Sequence, residues 1–187
     1  KLSPEIEIKS NFKTSINYNK KLKKYKNFIK DLDFAKDITN LEADLNSSFF
    51  INLDNTYKVK KYNFKSKGII IKSNLDFKKP LKNNFLNDEI NQLTLINSEI
   101  ETNLSFKKNT TSISGKYLLN GEDPLLFNLE NIIDKDLLKI KLNTEYKKPL
   151  ELEIINYKKP SKTIANLFLN LEKQKNKIKI NEMNLIE

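Results

Sequence analysis

Apolar and polar residues alternate one by one along most of this chain, the period of a strand that turns one face to each environment. From Glu5 onward, Ile6, Ile8, Phe12 and Ile16 share one side, and Glu5, Glu7, Lys9 and Lys13 the other. Leu41, Ala43, Leu45, Phe49, Ile51 and Leu53 repeat the pattern, with Glu42, Asp44 and Asn52 opposite. Ile69, Ile71, Leu75 and Phe77 continue it, then Ile96, Ile100, Leu104 and Phe106. Further runs carry Ile113, Tyr117 and Leu119, then Leu138, Ile140 and Leu142. The last are Leu150, Leu152 and Ile154, then Leu167, Leu169 and Leu171. Several runs exceed the usual strand of about five or six residues. The pattern predicts an antiparallel sheet with one apolar face.

Local signals interrupt this period. Asn120-Gly121 and Asp123-Pro124 fall between two apolar runs and predict a hairpin. The tetrapeptides Phe77–Pro80, Tyr146–Pro149 and Tyr157–Pro160 each end in Lys-Lys-Pro, placing proline at a strand end where its missing N–H does no harm. Leu22, Tyr25, Phe28, Ile29 and Leu32 recur every three or four residues with lysine between them, which predicts a short amphipathic helix over about 20–32. It fits a cap on the sheet, or else a lid or membrane-surface helix. In VKKYNF (59–64), INQLTL (90–95) and INEMNL (180–185), apolar residues stand three apart, out of phase with strict alternation. One extra residue, a β-bulge, would restore both to one face and add twist; a turn between two strands is the alternative.

Composition changes the picture in a few places. The 187 residues suit one β segment, 1–187. All 34 basic residues are lysine, none arginine, and 27 are asparagine, a bias of A/T-rich codons. The net charge of +10 raises nucleic acid or anionic membrane as partners. Without the planar fork of arginine, and with acids interleaved among the lysines, a solvated surface is the better reading and nucleic acid is not expected. No apolar run reaches the ~20 residues of a membrane helix. The chain opens on Lys1 with strand-like sequence almost at once, so a piece of a longer protein is expected, and absent targeting signals carry no information.

Catalytic chemistry finds little to use. The absence of His and Cys removes the commonest general base, the thiol nucleophile and the usual zinc ligands. Three glycines leave no phosphate-cradling loop. Glu5/Glu7, Glu42/Asp44, Glu99/Glu101 and Glu151/Glu153 are paired carboxylates, but each pair sits on the polar side of its strand, where lysines across the ladder account for it. No enzyme, metal site or cofactor is expected.

Long strands with one apolar face must pack a second sheet, close into a barrel, or curl into a trough. A trough left open would be a lane for hydrocarbon, since burial is worth ~0.8 kcal/mol per CH₂. The alternating strands, the stretch TSISGKYLLNGEDPLLFNLE, and the segments KVKKYNFKSKGIII, INQLTL and INEMNL resemble the AsmA-like family of bacterial envelope proteins, which includes the TamB and YhdP types. The likeness covers most of the chain after about Asp37. It implies a periplasmic β-groove, tethered to the inner membrane by an N-terminal anchor outside this sequence, that carries phospholipid toward the outer membrane. The resemblance brings no catalytic residues with it.

The expectation is therefore a mainly β fold: a long-stranded, twisted antiparallel sheet curled into a groove or half-barrel, with one short amphipathic helix. Its partner would be phospholipid acyl chains. The expected lining is Phe49, Ile51, Ile69, Ile71, Leu75, Phe77, Ile100, Leu104, Phe106, Ile113, Tyr117, Ile140, Leu142, Leu152, Ile154, Leu167 and Leu169. Two alternatives are a lipopolysaccharide-transport slice, and a structural β-domain of a surface protein with a sealed core.

Overall fold

A computed structural model describes residues 5–19, 37–81, 89–152, 157–161 and 163–187. Its strands are β1 (Ile6–Asn19), β2 (Ile38–Leu53), β3 (Val59–Leu81), β4 (Ile90–Ser105), β5 (Asn109–Leu119), β6 (Leu125–Asp134), β7 (Leu137–Tyr146), β8 (Leu150–Leu152), β9 (Tyr157–Lys159), β10 (Ala165–Gln174) and β11 (Lys177–Ile186). Nine of them form one antiparallel meander in the order β1-β2-β3-β4-β5-β6-β7-β10-β11, with β1 and β11 as its edges. The sheet is not a closed barrel. Strands β8 and β9 pair separately, as an insertion between β7 and β10. No helix occurs among the described residues, and the segment 20–32 lies outside them.

Residues directly opposed in an antiparallel ladder project to the same side, so the register assigns every face. One row across the sheet reads Thr14, Leu45, Gly68, Ile100, Ile113, Leu129, Leu142, Leu169 and Met183. The row one residue along reads Lys13, Asn46, Lys67, Glu101, Ser112, Glu130, Lys141, Asn170 and Glu182. Alternation in the sequence thus becomes a mainly apolar face and a polar face, with one row of the former, Ser47, Ser66, Thr102, Thr111 and Asn131, itself polar. Of the paired carboxylates, Glu5 lies 2.8 Å from Lys60, Glu101 3.9 Å from Lys67 and Glu151 3.5 Å from Lys158, while Glu7 pairs with Lys9 of its own strand and Asp44 accepts from Ser15 Oγ.

Two of the out-of-phase motifs are bulges. In VKKYNF, Asn52 opposes Lys61 while Leu53 opposes Val59, leaving Lys60 as the extra residue. In INEMNL, Asn170 opposes Glu182 while Leu171 opposes Ile180, leaving Asn181 extra. At INQLTL the register also breaks, between Asp76/Gln92 and Leu81/Ile90, but the surplus residues belong to β3. A further irregularity was not expected. Strand β3 gains a residue on β2 at Ile71, and β4 gains one on β5 at Asn97–Ser98, where Asn97 takes a φ of 45°. The β3–β4 register runs unbroken between them, so both strands change phase together.

That phase change corrects the expected lining. Ile69 opposes Asp44 and Glu99, so it lies on the polar face and is 48% exposed. Ile71 is the extra residue itself, 37% exposed, and the inward place belongs to its neighbour Ile70, at 8%. Ile96 opposes Lys72 and Lys116 on the polar face. Phe77 stands beyond the last regular β3–β4 pair, half-buried. Phe106 sits in the β4–β5 turn, exposed, its ring 4.7 Å from that of Tyr62. Leu152 belongs to the β8–β9 pair rather than the main sheet, and Ile154 falls outside the described residues.

The hairpin at Asn120-Gly121 forms as expected. Both residues take positive φ, 51° and 75°, the combination a type I′ turn requires, and Glu122 N donates to Leu119 O. The Asn120 carboxamide also accepts from the N–H groups of Asn91 and Gln92, tying this turn to the start of β4.

Candidate functional site

One face of the nine-stranded sheet is mainly apolar. Its central residues, among them Phe49, Ile51, Phe64, Ile100, Leu104, Ile113, Phe127, Leu129, Ile140, Leu142, Leu167 and Leu169, are half-buried rather than sealed. Toward the edges it opens further. Ile8 and Phe12 on β1 are 46% and 44% exposed, and Ile178 and Ile180 on β11 are 66% and 59%. Among the described residues no second layer spans it, and the two-stranded β8–β9 pair lies by its most buried end.

The face is bent. Ala43, Ile70 and Ser98 oppose one another across β2, β3 and β4, and all are buried. A Cβ built on Gly68 would stand 2.0 Å from Asp44 O and 2.9 Å from Leu45 Cα, both backbone atoms of β2. One built on Gly115 would stand 2.6 Å from Ser98 Cα in β4. Register places both would-be Cβ atoms on the apolar side, so the neighbouring strands lean over that side. Glycine is needed at these positions for close approach rather than for a turn. On the other side of the same crease, Ile69 and Ile71 are pushed into solvent.

Tyr117 bears out the direction of the bend. Its Oη donates to Glu145 O of β7 at 2.5 Å, reaching over the whole of β6. Such a reach needs β5 and β7 to tilt toward each other on the apolar side. The ring packs edge-on against Phe127, centroids 5.9 Å apart, and burial pushes the phenol pKa up.

Beyond the crease lies the most buried part of the molecule, with Tyr117, Leu125, Tyr146, Leu150 and Ala165 at 8% exposure or less. Here Lys159 is fully buried. Its Nζ donates to Lys147 O at 3.2 Å, Lys148 O at 3.3 Å and Pro160 O at 3.1 Å, and also to Thr163 O. The carbonyl cage takes the place of water around the ammonium, and burial pulls its pKa below the ordinary lysine value. One side chain thus clamps the connections on both sides of the β8–β9 pair.

The polar face holds ordinary ion pairs. Hydrogen bonds from Lys60 and Asn52 hold Glu5 below the usual carboxylate range, and Lys139 does the same for Glu172. Their stabilising effect is present above the unfolded carboxylate pKa and is lost as pH falls through the lower folded value. No group of acidic side chains able to hold a metal occurs among the described residues. A shallow hollow is lined by residues that include Asn46, Ser48, Lys65, Lys67 and Glu101, which the register places on the polar face.

The expected lining residues gather on the apolar face at Phe49, Ile51, Leu75, Ile100, Leu104, Ile113, Tyr117, Ile140, Leu142, Leu167 and Leu169. The sheet adds Tyr62, Phe64, Ile70, Leu125, Phe127, Leu129 and Met183 to that face. Leu125, Phe127 and Leu129 were legible as a clean alternation after Asp123-Pro124; Ile70 was hidden by the bulge beside it. No family model, curated protein or solved structure matches the chain.

Proposed function

We propose that the bent apolar face is a groove for phospholipid acyl chains, and that the chain is one slice of a periplasmic lipid-carrying protein of AsmA-like type. The observation carrying this reading is the row from Leu45 to Met183. It crosses β2 to β11 without a charged side chain, and no second layer spans it among the described residues. Nine strands spaced ~4.8 Å apart make the face on the order of 38 Å across the strands. That exceeds the ~30 Å hydrocarbon thickness of a bilayer, so extended acyl chains fit along it. The crease supports the same reading: bending inward shields a hydrocarbon chain on two sides while leaving it a path along the sheet.

The groove acts by transfer free energy and needs no reacting group. Each buried CH₂ gains ~0.8 kcal/mol, and the Ile, Leu and Phe side chains of the lining offer that gain on both sides of a polar row formed by Ser47, Ser66, Thr102, Thr111 and Asn131. In the full-length protein, an inner-membrane anchor would set one end of the path.

Native mass spectrometry of the chain purified from a bacterial envelope tests the proposal. Adducts with phospholipid masses, lost on delipidation and restored by added phosphatidylethanolamine, are expected. Adduct-free protein that takes up no added lipid would instead establish a sealed structural domain. Lipopolysaccharide adducts would reassign the cargo.

A further inference from the structure

The tight turns β2–β3, β4–β5, β6–β7 and β10–β11 gather at one end, and the β8–β9 insertion lies at the other. Every turn at the first of these ends presents lysine: Lys58, Lys107 and Lys108, Lys135, and Lys175 with Lys177. All are exposed, and none makes an ion pair among the described residues. The acids nearby do little to offset them. Glu5 is held by Lys60, and Asp54 is turned into its own loop, accepting from Thr56 N and Lys58 N. Asp134 and Asp136 are the remainder. At the insertion end, by contrast, Lys147 pairs with Asp123, Lys148 with Glu122 and Lys158 with Glu151, while Lys159 is caged. Among the described residues, Lys78 and Lys79 are exposed at that end too, as are Leu81, Leu126, Ile164 and Ile186.

The turn end also exposes apolar side chains. Tyr57 is 74% exposed, Phe106 57% and Ile178 66%, each within a few residues of free lysines. Ammonium groups beside projecting aromatic and aliphatic side chains match the boundary of an anionic bilayer, where the charges meet phosphates and the apolar groups enter the headgroup layer.

We infer that the turn end of the sheet docks on an anionic phospholipid surface, with Tyr57, Phe106 and Ile178 seated among the headgroups. This contact does not depend on whether the apolar face carries lipid, which the mass-spectrometric experiment decides separately.

Co-sedimentation with vesicles tests it. Vesicles of phosphatidylcholine mixed with phosphatidylglycerol should bind the chain, and pure phosphatidylcholine should not. At about 5-fold per lysine, Lys107→Gln, Lys108→Gln, Lys175→Gln and Lys177→Gln combined should weaken partitioning more than about 100-fold. The matched set Lys65→Gln, Lys67→Gln, Lys72→Gln and Lys116→Gln removes the same charge from the polar face and should cost less than about 5-fold. Phe106→Ser should weaken binding without changing its dependence on salt. All these positions are exposed, and circular dichroism checks that the sheet persists. Equal loss in both lysine sets, no binding to the mixed vesicles, or tighter binding to a single-stranded oligonucleotide than to vesicles overturns the inference.

Discussion

Gly68→Ala is expected to destabilise the sheet by about 3 kcal/mol or more, beyond the ordinary range for a single added methyl. The new Cβ would meet Asp44 O at 2.0 Å and the Asp44 carbonyl carbon at 2.9 Å. Both are backbone atoms of a strand paired on two sides, so no side-chain rotation relieves the contact. Strands β2 and β3 would have to separate at the crease, loosening the buried Ser47–Ser66 hydrogen bond of 2.9 Å two residues away. Gly115→Ala should behave alike, against Ser98. Gly121→Ala is the control: nothing lies within 4 Å of its Cβ, and only the positive φ of 75° resists substitution, at a cost of about 1 kcal/mol. Urea unfolding of the three variants checks the ranking. Equal costs at Gly68 and Gly121 would mean that the strands are not in close approach at the crease.

Lys159→Met should cost about 3 kcal/mol, a large effect for replacing a lysine in a lysine-rich chain. Methionine fills much of the volume but donates nothing. The carbonyls of Lys147, Lys148, Pro160 and Thr163 would all lose a charged donor in a buried site. Lys159→Arg should not restore stability, because a planar fork cannot address carbonyls arranged around a point. Amide exchange should report the loss first in β8, β9 and the start of β10. An unchanged urea midpoint together with unchanged exchange there would show that the clamp contributes nothing.

These residues also show what a sequence can reveal. Alternation identified the faces of β1, β2, β5, β7 and β10, because a two-residue period depends only on local geometry. The bulges in VKKYNF and INEMNL were legible for the same reason: out-of-phase apolar residues need an extra residue to share a face. The paired phase change at Ile71 and Asn97–Ser98 was not. Ile69, Ile70 and Ile71 are chemically alike, and only the partner strands decide which one turns inward. The crease was hidden too, since Gly68 and Gly115 differ from other strand glycines only through backbone brought close by the fold. Lysine gives the sharpest case. YKKP at 146–149 and YKKP at 157–160 are the same four residues, yet Lys148 pairs with Glu122 while its counterpart Lys159 is fully buried in carbonyls. Identical local sequence received different environments, so burial there belongs to tertiary structure alone.

The central claim is that hydrocarbon occupies the inner face of the bend and not the outer one. A photo-reactive residue placed at Leu142, within the apolar row, and at Ile69, an equally apolar side chain on the opposite face, separates the two. Irradiation in a bacterial envelope should give phospholipid adducts at Leu142 and none above background at Ile69. Adducts at neither position, or equally at both, would contradict the account.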